Sequence, residues 1–504
     1  MKTEIAHANF ATWAIQAPPK APFVTTEDGR SFTYGEMQTA TARYATALAE
    51  LGVQPGDRIA VQVEKSVEAL FLYIACLRAG AVYLPLNGAY THGELDYFIG
   101  DATPALVVCR PQDRAAVTAI AHKHGATFTE TMDADGTGSL LDIVKQQEGS
   151  RFIDYGCKGD DLATIIYTSG TTGRSKGAMI THQNLRSNAE ALADIWEFTD
   201  RDVLLHALPL FHIHGLFVAT NVVMAKGASM RLLAGFHADR IMAAMSEVTV
   251  MMGVPTFYTR LLQHPKLNKA SVAHMRLFVS GSAPLLAETH RQWSELTGHD
   301  ILERYGMTET GIIASNPYDQ ARVPGSVGFP LPDTDVRIAD ADGRDVPQGE
   351  IGMIEVRGPG IFRGYWQMPE KTQSEFRADG FFITGDLGRR DEAGYLHIVG
   401  RNKDLVISGG YNVYPREIEM EIDLLPGVEE SAVIGVPHPD FGEGVTAIVV
   451  GKTDEGAVLA GLSGKLAKFK LPKRVIVVDA LPRNTMGKVQ KNALRETFGG
   501  LYRE

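Results

Sequence analysis

The stretch Tyr167-Thr168-Ser169-Gly170-Thr171-Thr172-Gly173-Arg174-Ser175-Lys176-Gly177 constrains this chain more than any other. An apolar, β-like run at 163–166 precedes it and a second apolar segment at 178–180 follows. Small and hydroxyl residues around one lysine therefore form a loop between two buried strands. Such a loop suits phosphate. Its glycines let backbone N–H groups turn inward as an anion nest, its hydroxyls add donors, and Lys176 adds a mobile positive charge. It is not a Walker A loop, because Ser175 stands where that pattern needs glycine and Gly177 where it needs a hydroxyl residue.

Around the loop the chain alternates. Residues 32–51 repeat apolar positions at helical spacing, Gly52 and Pro55-Gly56 break the pattern, and a strand follows at 58–63. The unit recurs, with helix at 67–78 and 94–99 and strand at 82–84 and 105–109, which predicts an α/β fold of parallel, doubly wound sheets covered by helices. A chain of 504 residues exceeds one compact core. The polar stretch Gly400-Arg401-Asn402-Lys403-Asp404 marks the expected boundary between a large domain over 1–402 and a small, mobile α+β domain over 403–504.

Bulk properties narrow the partners. A net charge of −11 argues against nucleic acid or an anionic membrane, so anionic ligands must meet local basic patches such as the one at 465–495. Residues 1–13 offer no signal-peptide core, and the most apolar segment, 69–86, contains Arg78 and Pro85. Cys76, Cys109 and Cys157 are scattered without metal spacing and read as reduced thiols of a soluble, cytoplasmic protein.

Further segments carry chemistry. In Pro209-Leu210-Phe211-His212-Ile213-His214-Gly215 the two histidines read as metal ligands or as pocket lining. Gly253 to Leu262 reads as a proline-initiated helix bearing Arg260. Ser280-Gly281-Ser282-Ala283-Pro284-Leu285 follows a strand, where open α/β sheets place their ligands, and Glu303-Arg304-Tyr305-Gly306-Met307-Thr308-Glu309 follows by the same logic.

The glycine-hydroxyl loop resembles the signature loop of the adenylate-forming superfamily of acyl-CoA synthetases, adenylation domains and luciferases, with Ser175 where proline is more usual. Together with 206–215, 253–262, 280–285 and 303–310, it makes the chain similar to malonyl-CoA synthetases along nearly its whole length. The resemblance implies an acid activated by attack on the α-phosphorus of ATP, then captured by a thiol. It assigns ATP's phosphates to Thr168, Ser169, Gly170, Thr171, Thr172, Gly173 and Lys176, and Mg²⁺ to Glu309. Tyr305 would lie against adenine and Asp386 would take the ribose hydroxyls. Arg401 would contact ribose or phosphate, and Ser282, Glu303, Gly306 and Thr308 would complete the nucleotide site.

His212 would stand near the substrate carboxylate and the reacting phosphorus. Arg260 would bind a distal carboxylate beside Ser282, and Met307 would shape the α-carbon pocket. In Pro482-Arg483-Asn484-Thr485-Met486-Gly487-Lys488, Lys488 matches the catalytic lysine, with Lys403 as hinge and Ser408-Gly409-Gly410-Tyr411 flanking the pantetheine tunnel. Only sixteen residues follow Lys488, without a phosphopantetheine attachment motif, which favours coenzyme A over a carrier protein. Methylmalonate stays open beside malonate should residues 311–314 line the pocket, and a small monocarboxylate stays open should Arg260 not bind the acid. An acetyltransferase and deacetylase acting on Lys488 would switch adenylation by removing and restoring its charge.

Overall fold

The protein is represented by a computed structural model, which describes residues 8–148, 152–168, 175–484 and 487–502. Two large mixed sheets make up most of it. The nine-stranded sheet has a parallel centre that includes Val203–His206, Val250–Gly253, Leu277–Ser280 and Ile301–Met307, extended at its edges by antiparallel strands. The seven-stranded sheet has Arg58–Gln62, Val82–Pro85, Leu106–Cys109 and Phe128–Thr131 in parallel. Apolar segment 69–86 becomes the helix Val67–Ala79, capped by Ser66 and ended by left-handed Gly80; it is buried on every side, which explains why its sequence lacks a polar face. Among the described residues no helix is long and apolar enough to cross a membrane, and Cys76, Cys109 and Cys157 are all buried and free.

Two features depart from simple alternation. The strands flanking the glycine-hydroxyl loop, Leu162–Thr168 and Lys176–Thr181, pair antiparallel, since so short a connection can only reverse the chain. A further antiparallel sheet, Asp335–Ala339, Gly352–Arg357, Phe382–Arg390 and Leu396–Arg401, stands where the sequence shows no helix-strand repeat. Toward the C-terminus a five-stranded sheet is covered on both faces. Ala432, Ile434 and Val436 point to one side with Leu494, while Val433 points to the other with Ile418 and Ile422, as the two-residue period of a strand requires.

The strand Ile301–Met307 turns back onto Gly311–Ser315 through an irregularity between Tyr305 and Gly306. A Cβ on Gly306 would collide with the carbonyl oxygen of Gly311. Gly306→Ala is expected to cost about 1–3 kcal/mol, as overpacking does, and to appear as a lowered thermal midpoint; an unchanged midpoint would show that the hairpin yields.

Candidate active site

The two large sheets meet at the carboxyl ends of their strands, the usual ligand crevice of open α/β sheets. Lys176 opens its strand with Nζ 3.2 Å from Glu375 Oε1 and 4.0 Å from the centroid of the Tyr365 ring. Thr168 closes the preceding strand, its hydroxyl 3.5 Å from the carbonyl oxygen of Lys176. Ser169, Gly170, Thr171, Thr172 and Gly173 lie outside the described residues. Across the crevice, Glu309 is buried, and the Tyr365 hydroxyl lies 3.0 Å from its Oε1 and 2.6 Å from Glu375 Oε2. Burial holds the Glu309 carboxyl above its ordinary pKa.

This arrangement suits Mg²⁺, which binds through one or two carboxylates and completes its octahedron with phosphate and water oxygens. Glu309 supplies a buried carboxylate with no ion pair among the described residues, and Glu375 lies one hydroxyl away. Tyr365 and Glu375 escaped the sequence reading, because their chemistry arises only where they meet Glu309 and Lys176 in space.

At the nucleoside end, Asp386 is buried opposite Arg401 in antiparallel register, with Arg401 Nε 2.9 Å from Oδ1 and the Tyr305 hydroxyl donating to Oδ2 at 2.6 Å. Glu303 accepts from the Gly325 N–H at 3.0 Å, and burial pushes its carboxyl up to about 8. Thr308 is half-buried in the turn that leads from Met307 to Glu309.

The acid side is built from histidines and an arginine. The His214 backbone N–H donates to His212 Nδ1 at 3.2 Å, and His214 Nδ1 lies 3.2 Å from Ser282 Oγ. Ser282 sits at φ +71°, a left-handed conformation that costs a non-glycine residue and concentrates at functional sites. Burial, reinforced by Arg304 and Lys488, holds His212 down to about 4, so its imidazole is neutral near pH 7. Arg304 is 5% exposed, and its Nε and Nη2 have no hydrogen-bond partner among the described residues. A Cβ on Gly281 would strike that guanidinium. Burial lowers Arg304 to about 9, which still leaves it charged at neutral pH. Sequence reading quoted Arg304 within its motif and gave it no role, since a cation next to Glu303 in sequence does not reveal that its guanidinium is buried.

Arg260 is exposed on the helix Pro255–Leu262, its guanidinium 5.6 Å from the Phe236 ring centroid. On the next turn back Thr256 faces Gly487, the neighbour of Lys488. Lys488 is open to the cleft but surrounded by charge: burial and Arg401 lower its ammonium to about 8, with Asp386, Lys403 and Asp404 also in electrostatic range. Lys403 lies in the short turn Asn402–Asp404, and Asp404 pairs with Arg495 at 2.8 Å. The structure thus gathers Lys488, His212, Asp386 and Arg401. Ser408, Gly409, Gly410 and Tyr411 stand apart as a hairpin turn whose two glycines have positive φ, with Tyr411 stacked on Phe469 at 4.7 Å.

Comparison with known proteins identifies this architecture. The AMP-binding enzyme family matches residues 10–366, and the AMP-binding enzyme C-terminal domain matches 417–488; the chain belongs to this family. The crystal structure of ATP-bound MatB from Rhodopseudomonas palustris is 59% identical, covers 98% of this chain and all of its own, and superposes with a TM-score of 0.97. Feruloyl-CoA synthase of Amycolatopsis sp is 35% identical over 97% of this chain and 99% of its own. Malonate–CoA ligase of Arabidopsis thaliana is 35% identical over 94% of this chain and 85% of its own. The chain is an acid–CoA ligase that uses ATP and coenzyme A and works through an acyl-adenylate.

The titration of Lys488 has a measurable consequence. Its ammonium is charged below about pH 8 and neutral above, and kcat/KM reports groups of the free enzyme. Adenylation kcat/KM for ATP is expected to fall above about pH 8. In Lys488→Arg, whatever activity remains should lack that alkaline limb; a limb unchanged in the variant would assign it to another group.

Proposed function

We propose that this ligase joins malonate to coenzyme A through malonyl-AMP, releasing AMP and pyrophosphate. One observation carries the choice of acid: Arg304 is a buried guanidinium with two unpartnered nitrogen atoms beside His212 and His214. An unpaired buried cation is costly, and a second carboxylate on the substrate would relieve it with charge-assisted hydrogen bonds. Arg260 is the second cation proposed for that carboxylate, at the rim, since its guanidinium rests over Phe236 without an acidic partner among the described residues. The malonate–CoA ligase relative supports this reading, whereas the feruloyl-CoA relative acts on an acid that would leave Arg304 unpaired.

In the mechanism proposed, the near carboxylate of malonate lies between His212 and Lys488. Lys488 offsets the repulsion between that carboxylate and the α-phosphate as the new P–O bond forms and the bond to pyrophosphate breaks. Lys176 holds the departing phosphates, and Tyr305, Asp386 and Arg401 fix the nucleoside. Mg²⁺, when bound at Glu309, neutralises charge on the phosphates. The small domain, residues 403–504 with its hinge at Lys403, then turns the hairpin at Ser408–Tyr411 toward the adenylate. The coenzyme A thiolate attacks the acyl carbon and AMP leaves. We extend the reading to a cytoplasmic enzyme, supported by three buried free thiols.

The test is pyrophosphate release with ATP, Mg²⁺ and coenzyme A across acetate, propionate, malonate, methylmalonate, succinate and ferulate. Malonate should lead. Arg304→Met should cut malonate kcat/KM by about 100-fold, the worth of a hydrogen bond to a charged group, while sparing propionate; Arg260→Ala should act in the same direction more weakly. Equal losses on malonate and propionate, or a wild-type preference for ferulate, would overturn the assignment.

Acetylation of Lys488 is proposed as a control. Lys488→Gln should abolish pyrophosphate release, yet convert synthetic malonyl-AMP and coenzyme A to product at near the wild-type rate. Loss of both steps would reject it.

A further inference from the structure

Lys65 has no place in the machinery described so far. It follows the strand Arg58–Gln62 of the seven-stranded sheet and precedes Ser66, the cap of the buried helix. Its ammonium crosses to the nine-stranded sheet, where Nζ lies 2.8 Å from the carbonyl oxygen of His206 and 3.2 Å from His206 Nδ1. His206 ends the strand Val203–His206 and is fully buried; its Nε2 is 2.9 Å from the carbonyl oxygen of Gly215 and 3.3 Å from Thr220 Oγ1.

The chemistry of these partners leaves one arrangement. A carbonyl only accepts, and burial holds the His206 imidazole neutral, with one N–H to give. His206 Nδ1 must therefore be the bare nitrogen facing Lys65, and Nε2 must carry the proton that goes to Gly215. Gly215 in turn has no freedom, because a Cβ there would collide with the Pro209 carbonyl oxygen. It is the second residue of the π-helical turn His214–Thr220, an uncommon geometry found mostly at functional sites. His214 opens that turn, and its backbone N–H anchors His212.

Stability alone does not account for such a lysine. Burial holds its proton affinity well below that of an ordinary lysine, with Glu27 the one acid in electrostatic range. A well-packed apolar side chain would do as well for the fold at less cost.

We propose that Lys65 is a positioning residue: through His206 and Gly215 it fixes the turn that presents His212 and His214 to the acid. The proposal rests on the ligase reading for its kinetic readout, and on the tautomer of His206 for a readout independent of turnover.

The experiment uses the full chain. Acid-dependent ATP–pyrophosphate exchange is measured for wild type, Lys65→Met, Lys65→Arg, His206→Gln and the Lys65→Met/His206→Gln double variant, with acid and ATP varied separately and thermal midpoints recorded. Lys65→Met should raise the KM for the acid about tenfold, the scale of one net hydrogen bond, with the KM for ATP within about twofold. Lys65→Arg should recover part of the loss, and the double variant should be no worse than His206→Gln alone, because both act on one chain of contacts. Nitrogen-15 spectra of His206 should show Nε2 protonated in the wild type and a mixed tautomer in Lys65→Met. An acid KM unchanged in Lys65→Met, or acid and ATP KM rising together with a fallen midpoint, would overturn the proposal. So would a wild-type His206 protonated on Nδ1, even if no acid tried were turned over, an outcome that would count separately against the ligase reading.

Discussion

A guanidinium buried without a carboxylate partner among the described residues is the constraint that its neighbours answer to. Arg304 lies on the interior strand Ile301–Met307, against Gly281 and in electrostatic range of two neutral histidines, and two of its nitrogen atoms are unpartnered among the described residues. Breaking a buried pair by leaving one charge alone costs several kcal/mol, so a fold that keeps such a charge defers its pairing to a ligand. The neighbouring details follow from that cation. Gly281 must be glycine to let the strand-end loop approach it, and Ser282 takes a left-handed conformation immediately afterwards. His212 and His214 are kept neutral partly by its field, which makes them hydrogen-bonding walls rather than competing cations.

The nucleotide half solves the opposite problem. Glu309 and Glu375 bring two carboxylates to one tyrosine hydroxyl, with Lys176 against Glu375 and over the Tyr365 ring. Two carboxylates and a lysine are thus paired with one another, and in the proposed mechanism a divalent cation and a polyphosphate would exchange for these internal pairs. Between the halves stands Lys488, whose charge is weakened by burial and by Arg401. A cation weakened in this way favours an anionic ligand beside it, and in the proposed mechanism the same cost would couple chemistry at the α-phosphate to movement at Lys403.

Much of this was legible in the chain. The glycine-hydroxyl loop, the strand-end segments at 280–285 and 303–309 and the lysine loop before Lys488 are local patterns, and the resemblance to the family rests on them. The doubly wound core was legible from alternating helix and strand periods. What stayed hidden depends on distance in sequence: Lys65 meets His206 across 141 residues, and Tyr365 meets Glu309 across 56. The sheet beginning at Asp335 was hidden for another reason, since antiparallel strands joined by turns show no helical period between them.

The proposed role of Arg304 bears on why relatives of equal identity carry the names of different acids. Feruloyl-CoA synthase and malonate–CoA ligase are both 35% identical to this chain over nearly its full length. Most of the crevice handles ATP and the thiol, and those demands are the same for any acid. The acid itself is met by few side chains, so whole-chain identity weighs them lightly. A hydrophobic pocket discriminates by only about 1–3 kcal/mol per methylene, whereas a site with a buried polar group rejects a ligand that leaves it unpaired by far more. One arginine on an interior strand can therefore outweigh the rest of the pocket in setting the acid, and under the proposed function that residue is Arg304.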